Sequence, residues 1–319
     1  MKLQTKTPER HQVALDRLVA KLSEDRHVLA AILFGSLVRG EAWVKSDIDL
    51  VAVLRDGVER QRSARGGGPW RGYWLLENGV SIWLETIARS QLKQQFERAL
   101  PGTIRHAMHS QARLLFSHDE SIAAWLQRTE RIGGRDQAYQ LLRDSLGLPY
   151  LLEKAEKWLY VKRDPDYCFV WLLNAVSNLA RIEVTFHGEA PRREVLDRAL
   201  ALNPAFFQVA YSDFVNGPKD EATLQAQLDR IQAYLLERVD RIFAPLLDYL
   251  AEAGDPRTLS AINAHFAPKL AHAGLFLVCD WLAEQGILDR LATPLRLTRK
   301  SQVTVEEVAF YYDNPRREI

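Results

Sequence analysis

Strand-like apolar stretches occupy the first 130 residues of this chain and then give way to long helical patterns, so a sheet must be built at the front and helices must follow it. From Pro8 to Leu22 the apolar residues Val13, Leu15, Leu18, Val19 and Leu22 fall near helical spacing, and the following HVLAAILFG predicts a buried strand. Ser36 to Ala42 suits a short helix and Asp47 to Leu54 a second strand. Arg71 to Ile87 suits a hairpin turning at Glu77-Asn78-Gly79. Residues 60–72, RQRSARGGGPWRG, have no packing pattern and are expected to form a loop beside the sheet edge or a solvated linker.

After Ile132-Gly133-Gly134 only helical patterns remain until the tail. Tyr167 to Phe186 is apolar almost all round, as a helix at the centre of a bundle must be. Ala222 to Leu250 repeats apolar residues at three-and-four spacing and predicts one long amphipathic helix, kinked at Pro245 and closed by Gly254-Asp255-Pro256. In the tail, TLSAINAHF and AHAGLFLVCDWLAEQG read as helices and LDRLATPLRLT as a hairpin. TVEEVAFYY reads as a last helix with Thr304 and Glu307 at capping-box spacing. The expectation is therefore α+β, with a mixed sheet and helices over 1–132, a helical bundle over 133–253 and a small winged-helix-like domain over 254–319.

Hydrophobic residues at 47% and charged residues at 26% fit a globular protein and exclude a disordered chain. Forty-two basic against forty-one acidic side chains leave a net charge of +1, so no global field gathers nucleic acid or anionic membrane. Cys168 and Cys279 both lie on apolar helix-like segments and read as buried free thiols. The N-terminal stretch has no apolar signal-like region and no window approaches the ~20 apolar residues of a membrane span, so a cytoplasmic, soluble protein is expected, with no membrane partner.

The chemistry is concentrated in FGSLVRGEAWVKSDIDLVAVL, residues 34–54. At a strand end, Gly35 lets the backbone approach a ligand, and Ser36 with nearby N–H groups can hold phosphate oxygens. Asp47 and Asp49 are two apart on a strand and share a face, whereas Ile48 and Leu50 serve the other. Two adjacent carboxylates repel, and a divalent cation between them, most simply Mg²⁺, is the usual reason to tolerate the arrangement. In VSIWLETI, alternation puts Ser81, Trp83 and Glu85 on the face opposite Val80, Ile82 and Leu84. Glu77, at the hairpin turn, is a weaker candidate carboxylate.

These residues resemble the signature of the DNA polymerase beta-like nucleotidyltransferase superfamily, in which glycine-serine is followed about ten residues later by Asp-x-Asp. Gly35-Ser36, Arg39-Gly40-Glu41 and Ser46-Asp47-Ile48-Asp49-Leu50 stand where the small bacterial members have them, while Leu37 replaces a frequent arginine. The resemblance implies two Mg²⁺ ions held by Asp47, Asp49 and a third carboxylate, here Glu85, which also accepts the acceptor's proton. It implies contacts from Gly35, Ser36, Arg39 and Lys45 to a nucleoside triphosphate, ATP foremost. The expected reaction moves AMP onto a hydroxyl of a small molecule or a protein and releases pyrophosphate. In relatives that modify aminoglycosides a base can come from the helical domain, so Glu153 or Glu156 competes with Glu85; Lys154, Lys157 and Lys162 would border such an acceptor or simply be solvated.

Two other classes remain: a regulatory protein with a nucleotide-sensing pocket and a winged-helix tail, and a ribonuclease of the HEPN type. The bundle resembles HEPN domains, and Arg181 and His187 have the five-residue separation of their arginine and histidine; six ideal helical positions turn the two to different faces, which favours structural roles. The tail carries slightly more acidic than basic side chains, with Arg296, Arg299 and Lys300 as its local basic cluster. Packing, protein contact or dimerisation therefore ranks above DNA binding there.

Overall fold

The computed structural model describes residues 9–58, 71–98, 112–128, 134–191, 194–270, 274–298 and 300–313. The predicted loop is thus represented only by Arg71 and Gly72; the rest of it, Arg299 and the Arg39 side chain lie outside the described residues. The chain divides into two compact units, Met1–Ile132 and Gly133–Ile319.

In the first unit helix α1 (Glu9–Glu24) precedes strand β1 (Val28–Phe34), and a four-residue helix α2 (Ser36–Arg39) leads to β2 (Ile48–Leu54). β3 (Arg71–Glu77) and β4 (Val80–Ala88) form the expected hairpin. Asn78 and Gly79, with φ of 49° and 70°, make its two-residue turn, the backbone sense that matches strand twist. Helix α3 (Arg89–Arg98), strand β5 (Arg113–Ser117) and helix α4 (Glu120–Arg128) complete the described part of the unit, and neither α3, β5 nor α4 was foreseen.

The sheet runs β3-β4-β2-β1-β5. β2 and β4 are parallel and the other neighbours antiparallel. Alternation sorts the central strands into two cores. Leu33, Ile48, Leu50, Ile82 and Leu84 pack with Ala14, Leu15 and Leu18 of α1. Ile32, Phe34, Val51, Val53 and Ile87 pack with Leu92 of α3 and Ile122 and Leu126 of α4. A sheet covered on both faces explains why VLAAILF is buried at every position. Each such aliphatic side chain stabilises by roughly 1.5–3 kcal/mol when fully buried.

The second unit is organised around α7 (Pro165–Phe186), which follows α5 (Gly134–Ser145), α6 (Leu148–Glu156) and a π-helical turn over Lys157–Val161. Asp164 caps α7 by accepting from the Tyr167 N–H at 3.0 Å. Leu172, Val176, Leu179 and Ile182 of α7 are fully buried, as its apolar composition requires.

The predicted long helix over 222–250 is three helices: α8 (Glu221–Leu236), α9 (Val239–Ile242) and α10 (Ala244–Ala253). Pro245 stands in the first turn of α10, where its missing N–H costs nothing, so it starts a helix instead of kinking one. Gly254 ends α10 in the left-handed conformation.

The tail continues with β6 (Arg257–Thr258), α11 (Leu259–Leu270), α12 (Phe276–Glu284), β7 (Asp289–Leu295) and β8 (Val305–Tyr311). TVEEVAFYY is therefore a strand, not a last helix. β8 lies between β6 and β7, so the hairpin is closed by β8 and not within LDRLATPLRLT. Glu307 does not build a capping box with Thr304; its Oε1 accepts from the Ser260 N–H at the start of α11, 2.7 Å away. Although 254–319 reads as a domain of its own, Ile262, Phe266, Val278, Cys279, Leu282 and Phe310 share one hydrophobic core with the bundle.

Candidate active site

β1 and β2 run antiparallel, so the last residue of β1 faces the start of β2: Phe34 pairs with Asp49. The chain then turns at Gly35, whose φ of +77° is a left-handed conformation that side-chain-bearing residues rarely adopt. The carboxylate of Asp49 occupies the room left by the missing side chain. A Cβ on Gly35 would lie 2.4 Å from Asp49 Oδ2. Glycine is required here twice, by backbone angle and by close approach.

Ser36 opens α2, and its carbonyl accepts from the N–H groups of Gly40 and Glu41. Leu37, where the resemblance implied an arginine, is buried in the core beneath α1. The chain is then led back to the sheet by a turn in which Ser46 N–H donates to the Trp43 carbonyl at 2.9 Å and Trp43 N–H donates to Ser46 Oγ at 3.0 Å. Helix α1 clamps this turn from below. The fully buried His11 has Nε2 2.8 Å from the Ser46 carbonyl, and Arg10 donates to the Val44 carbonyl. Neither residue was singled out from the sequence, because their role appears only when α1 is laid across the sheet. Asp47, the next residue, stands half-buried immediately before β2, two positions from the half-buried Asp49.

β4 lies beside β2 in parallel register, with Asp49 opposite Trp83 and Val51 opposite Glu85. Paired residues share a face, so Trp83 and Glu85 stand on the side of the sheet that carries Asp49. Glu85 Oε1 accepts from the Trp83 indole N–H at 2.9 Å. The predicted carboxylates are thus gathered on neighbouring strands, though among the described residues no three Asp, Glu, His or Cys side chains form a group ready to hold a metal ion. As hard oxygen donors, Asp47 and Asp49 have the chemistry that Mg²⁺ takes, an ion that keeps ligand positions for substrate oxygens.

The other candidates lie elsewhere. Lys45 is exposed, its Nζ 5.6 Å from the centroid of the Trp43 ring. Glu77 pairs with Lys21 of α1 at 2.5 Å, on the opposite face of the sheet from Glu85. In the second unit Glu156 accepts from Gln232 at 3.3 Å, and burial, with Glu284 and Glu153 nearby, raises its pKa. Glu153 is largely exposed beside Lys154. Arg181 donates to the buried Asp144 at 3.1 Å, and His187 Nδ1 lies 2.9 Å from the Glu183 carbonyl. Both are engaged in holding the bundle.

A cavity of about 690 Å³ opens at the far ends of β1 and β2, lined by Leu29, Arg55, Asp56, Arg89, His118, Asp119 and Glu120. Arg89 is bound there to Asp119 and to Ser121 Oγ, and Asp56 caps α3 through the Ser90 N–H. Those charges satisfy structure, and the cavity is remote along the strands from Gly35 and Asp49.

Residues 16–121 match the family model described as "Polymerase beta, Nucleotidyltransferase". They form a nucleotidyltransferase domain. This nucleotidyltransferase domain holds Gly35, Ser36, Asp47, Asp49 and Glu85 within its bounds. Among solved structures, a nucleotidyltransferase-like protein from Exiguobacterium sibiricum 255-15 is similar with a TM-score of 0.60 and 14% identity, over 94% of this chain and 99% of that one. That likeness extends the common fold beyond the nucleotidyltransferase domain. Spectinomycin adenyltransferase AAD(9) from Enterococcus faecialis, solved with ATP and spectinomycin, aligns at 11% identity and a TM-score of 0.28, over 71% of this chain and all of that one. No curated protein matches the chain. Among the described residues no helix is long and apolar enough to cross a membrane.

Proposed function

We propose that this protein is a Mg²⁺-dependent nucleotidyltransferase that moves AMP from ATP onto a hydroxyl group and releases pyrophosphate. The observation that carries the proposal is the packing of the Asp49 carboxylate into the space above Gly35, with Ser36 following and Glu85 on the neighbouring strand of the same face.

Across the sheet the order is Gly35-Ser36 after β1, Asp47 just before β2 and Asp49 on it, and Glu85 on β4. Gly35 and Ser36 would receive the triphosphate on one flank, and Glu85 would meet the acceptor on the other, the opposed disposition that in-line displacement at phosphorus requires. Bound Mg²⁺ supplies charge neutralisation of the phosphate oxygens. Asp47 and Asp49 are the residues that would hold that ion. Glu85 takes the proton of the acceptor hydroxyl as its oxygen bonds to the α-phosphorus, and the bond from that phosphorus to the β-bridging oxygen breaks. The acceptor we favour is a small molecule or a protein side-chain hydroxyl. The tail reads best as a winged-helix-like module for protein contact, since α12 exposes Glu284, holds Arg290 through Asp280 and contains no lysine or arginine.

The test is incubation of the protein and a cell extract with ATP labelled on its α-phosphate and Mg²⁺, with Asp47→Ala/Asp49→Ala as control. Label transferred by the intact pair and not by the variant is the expected result, and its position on a protein band or a small molecule identifies the acceptor class. Tight, Mg²⁺-dependent nucleotide binding without transfer of any of the four nucleotides would favour a sensor instead.

A further inference from the structure

Trp83 is laid down on the sheet in a way that its own strand does not demand. Side chains two apart on a strand ordinarily stand side by side off the sheet. Here the indole leans toward the edge strand and over Gly72, the residue in register with Glu85. A Cβ on Gly72 would come within 2.0 Å of Trp83 Cζ2 and 2.1 Å of Cη2. Trp74, directly opposite Trp83, closes the other side with ring centroids 5.1 Å apart and planes tilted by 52°. The ring therefore lies on Gly72 and against the exposed Trp74, and its one polar atom donates to Glu85 Oε1 at 2.9 Å.

We propose that Trp83, seated on Gly72, is a positioning residue that holds Oε1 of Glu85 so that Oε2 is turned to the reacting hydroxyl. This rests on the reading of Glu85 as the group that takes the acceptor's proton. A glutamate has several rotatable bonds, and a base is effective only in one orientation toward the proton it removes. A hydrogen bond from a neutral donor to a carboxylate is strong enough to select that orientation, provided that the donor itself cannot move. Gly72 and Trp74 restrict the ring on two sides.

Three variants separate the parts. Trp83→Phe keeps the ring and removes the N–H, Gly72→Ala keeps the N–H and displaces the ring, and Glu85→Gln removes the base. With α-labelled ATP and the cell-extract acceptor, Trp83→Phe should lower kcat about tenfold with the KM for ATP unchanged. Gly72→Ala should do the same, and Trp83→Phe combined with Glu85→Gln should be no slower than Glu85→Gln alone. Losses that simply add in the double variant would overturn the proposal. Thermal melts check that each variant is folded.

A second readout needs no turnover. The indole ¹H–¹⁵N cross-peak of Trp83, identified by its absence in Trp83→Phe, should shift in Glu85→Gln, and in the natural protein should move when Mg²⁺ and a non-hydrolysable ATP analogue are added. A cross-peak indifferent to Glu85→Gln and to nucleotide overturns the positioning role, even where transfer occurs. A cross-peak that responds to both, with no transfer to any acceptor, overturns the transferase reading and leaves Trp83 holding Glu85 in a nucleotide site.

Discussion

At the scale of single residues, the site depends on what is absent at Gly35. Its left-handed φ strains any side chain placed there, and a Cβ 2.4 Å from Asp49 Oδ2 would displace the carboxylate proposed to bind metal. Gly35→Ala is expected to cost at least a hundredfold in transfer, about 2.7 kcal/mol of transition-state free energy, with an unchanged far-UV circular dichroism spectrum. Retention of activity within tenfold would show that Asp49 can do its work from another position. Gly35, Ser36, Asp47 and Asp49 were legible in sequence as candidates, because they follow one another at a local spacing along adjoining elements. His11 and Trp83 were not, since a histidine on an amphipathic helix and a tryptophan on an alternating strand look like ordinary packing residues until their partners, Ser46 and Glu85, are brought next to them.

At the scale of elements, two polar clamps lend themselves to test. Asp119, at the start of α4, is tied to Arg89 at the start of α3, and Arg89 with Ser121 holds its carboxyl below the ordinary value of 3.8. A group whose folded pKa is depressed contributes stability that is present above the ordinary value and is lost as pH falls through the lowered one. Denaturant midpoints of the first unit should therefore fall below pH 3.8, and Asp119→Asn should flatten that part of the profile; an identical acid slope in the variant would assign the loss to other carboxylates. In the second unit Asp144 is buried, receives Arg181 at 3.1 Å and Gln140 at 2.7 Å, and has its pKa raised by burial. Removing Arg181 takes away the charge partner that is hydrogen-bonded to that carboxylate and leaves only the charge of Arg143 acting on it, so Arg181→Ala should destabilise by about 3 kcal/mol in urea unfolding. A loss below about 0.5 kcal/mol would mark Arg181 as free for another task, which is where a ribonuclease role would regain ground.

Element boundaries show where sequence pattern fails for a physical reason. TVEEVAFYY has a helix start signal, but its β-branched and aromatic residues gain more from pairing with β6 and β7, and Glu307 serves α11 instead of its own segment. The run over 222–250 keeps its apolar spacing through two breaks because the three short helices all address the same core, in which Leu228, Ile242 and Leu250 are buried together.

At the scale of the whole molecule, the chain has two compact units with separate described cores, one pair on the faces of the sheet and one in the bundle. A fragment over 134–319 should therefore fold alone with a cooperative thermal transition, since every residue of the bundle core lies within it. A fragment that fails to melt cooperatively would refute that independence. Cys168 and Cys279 offer a parallel probe: both are buried, and burial pushes their thiols up to about 11 and about 12. Neither should be alkylated at pH 8 in the native protein, and both should react in denaturant, as mass spectrometry can read directly.

The sequence by itself determined the α+β class, the first hairpin, the central helix of the bundle and the paired aspartates beside a glycine-serine turn. These are matters of period and spacing, and a one-residue slip would move every carboxylate to the wrong face. Tertiary structure alone decided that α1 clamps the turn before Asp47, that Trp83 lies across Gly72 to hold Glu85, that Pro245 begins a helix and that the final segment is a strand. Each of those outcomes is fixed by a partner distant in the chain, which local propensity cannot register.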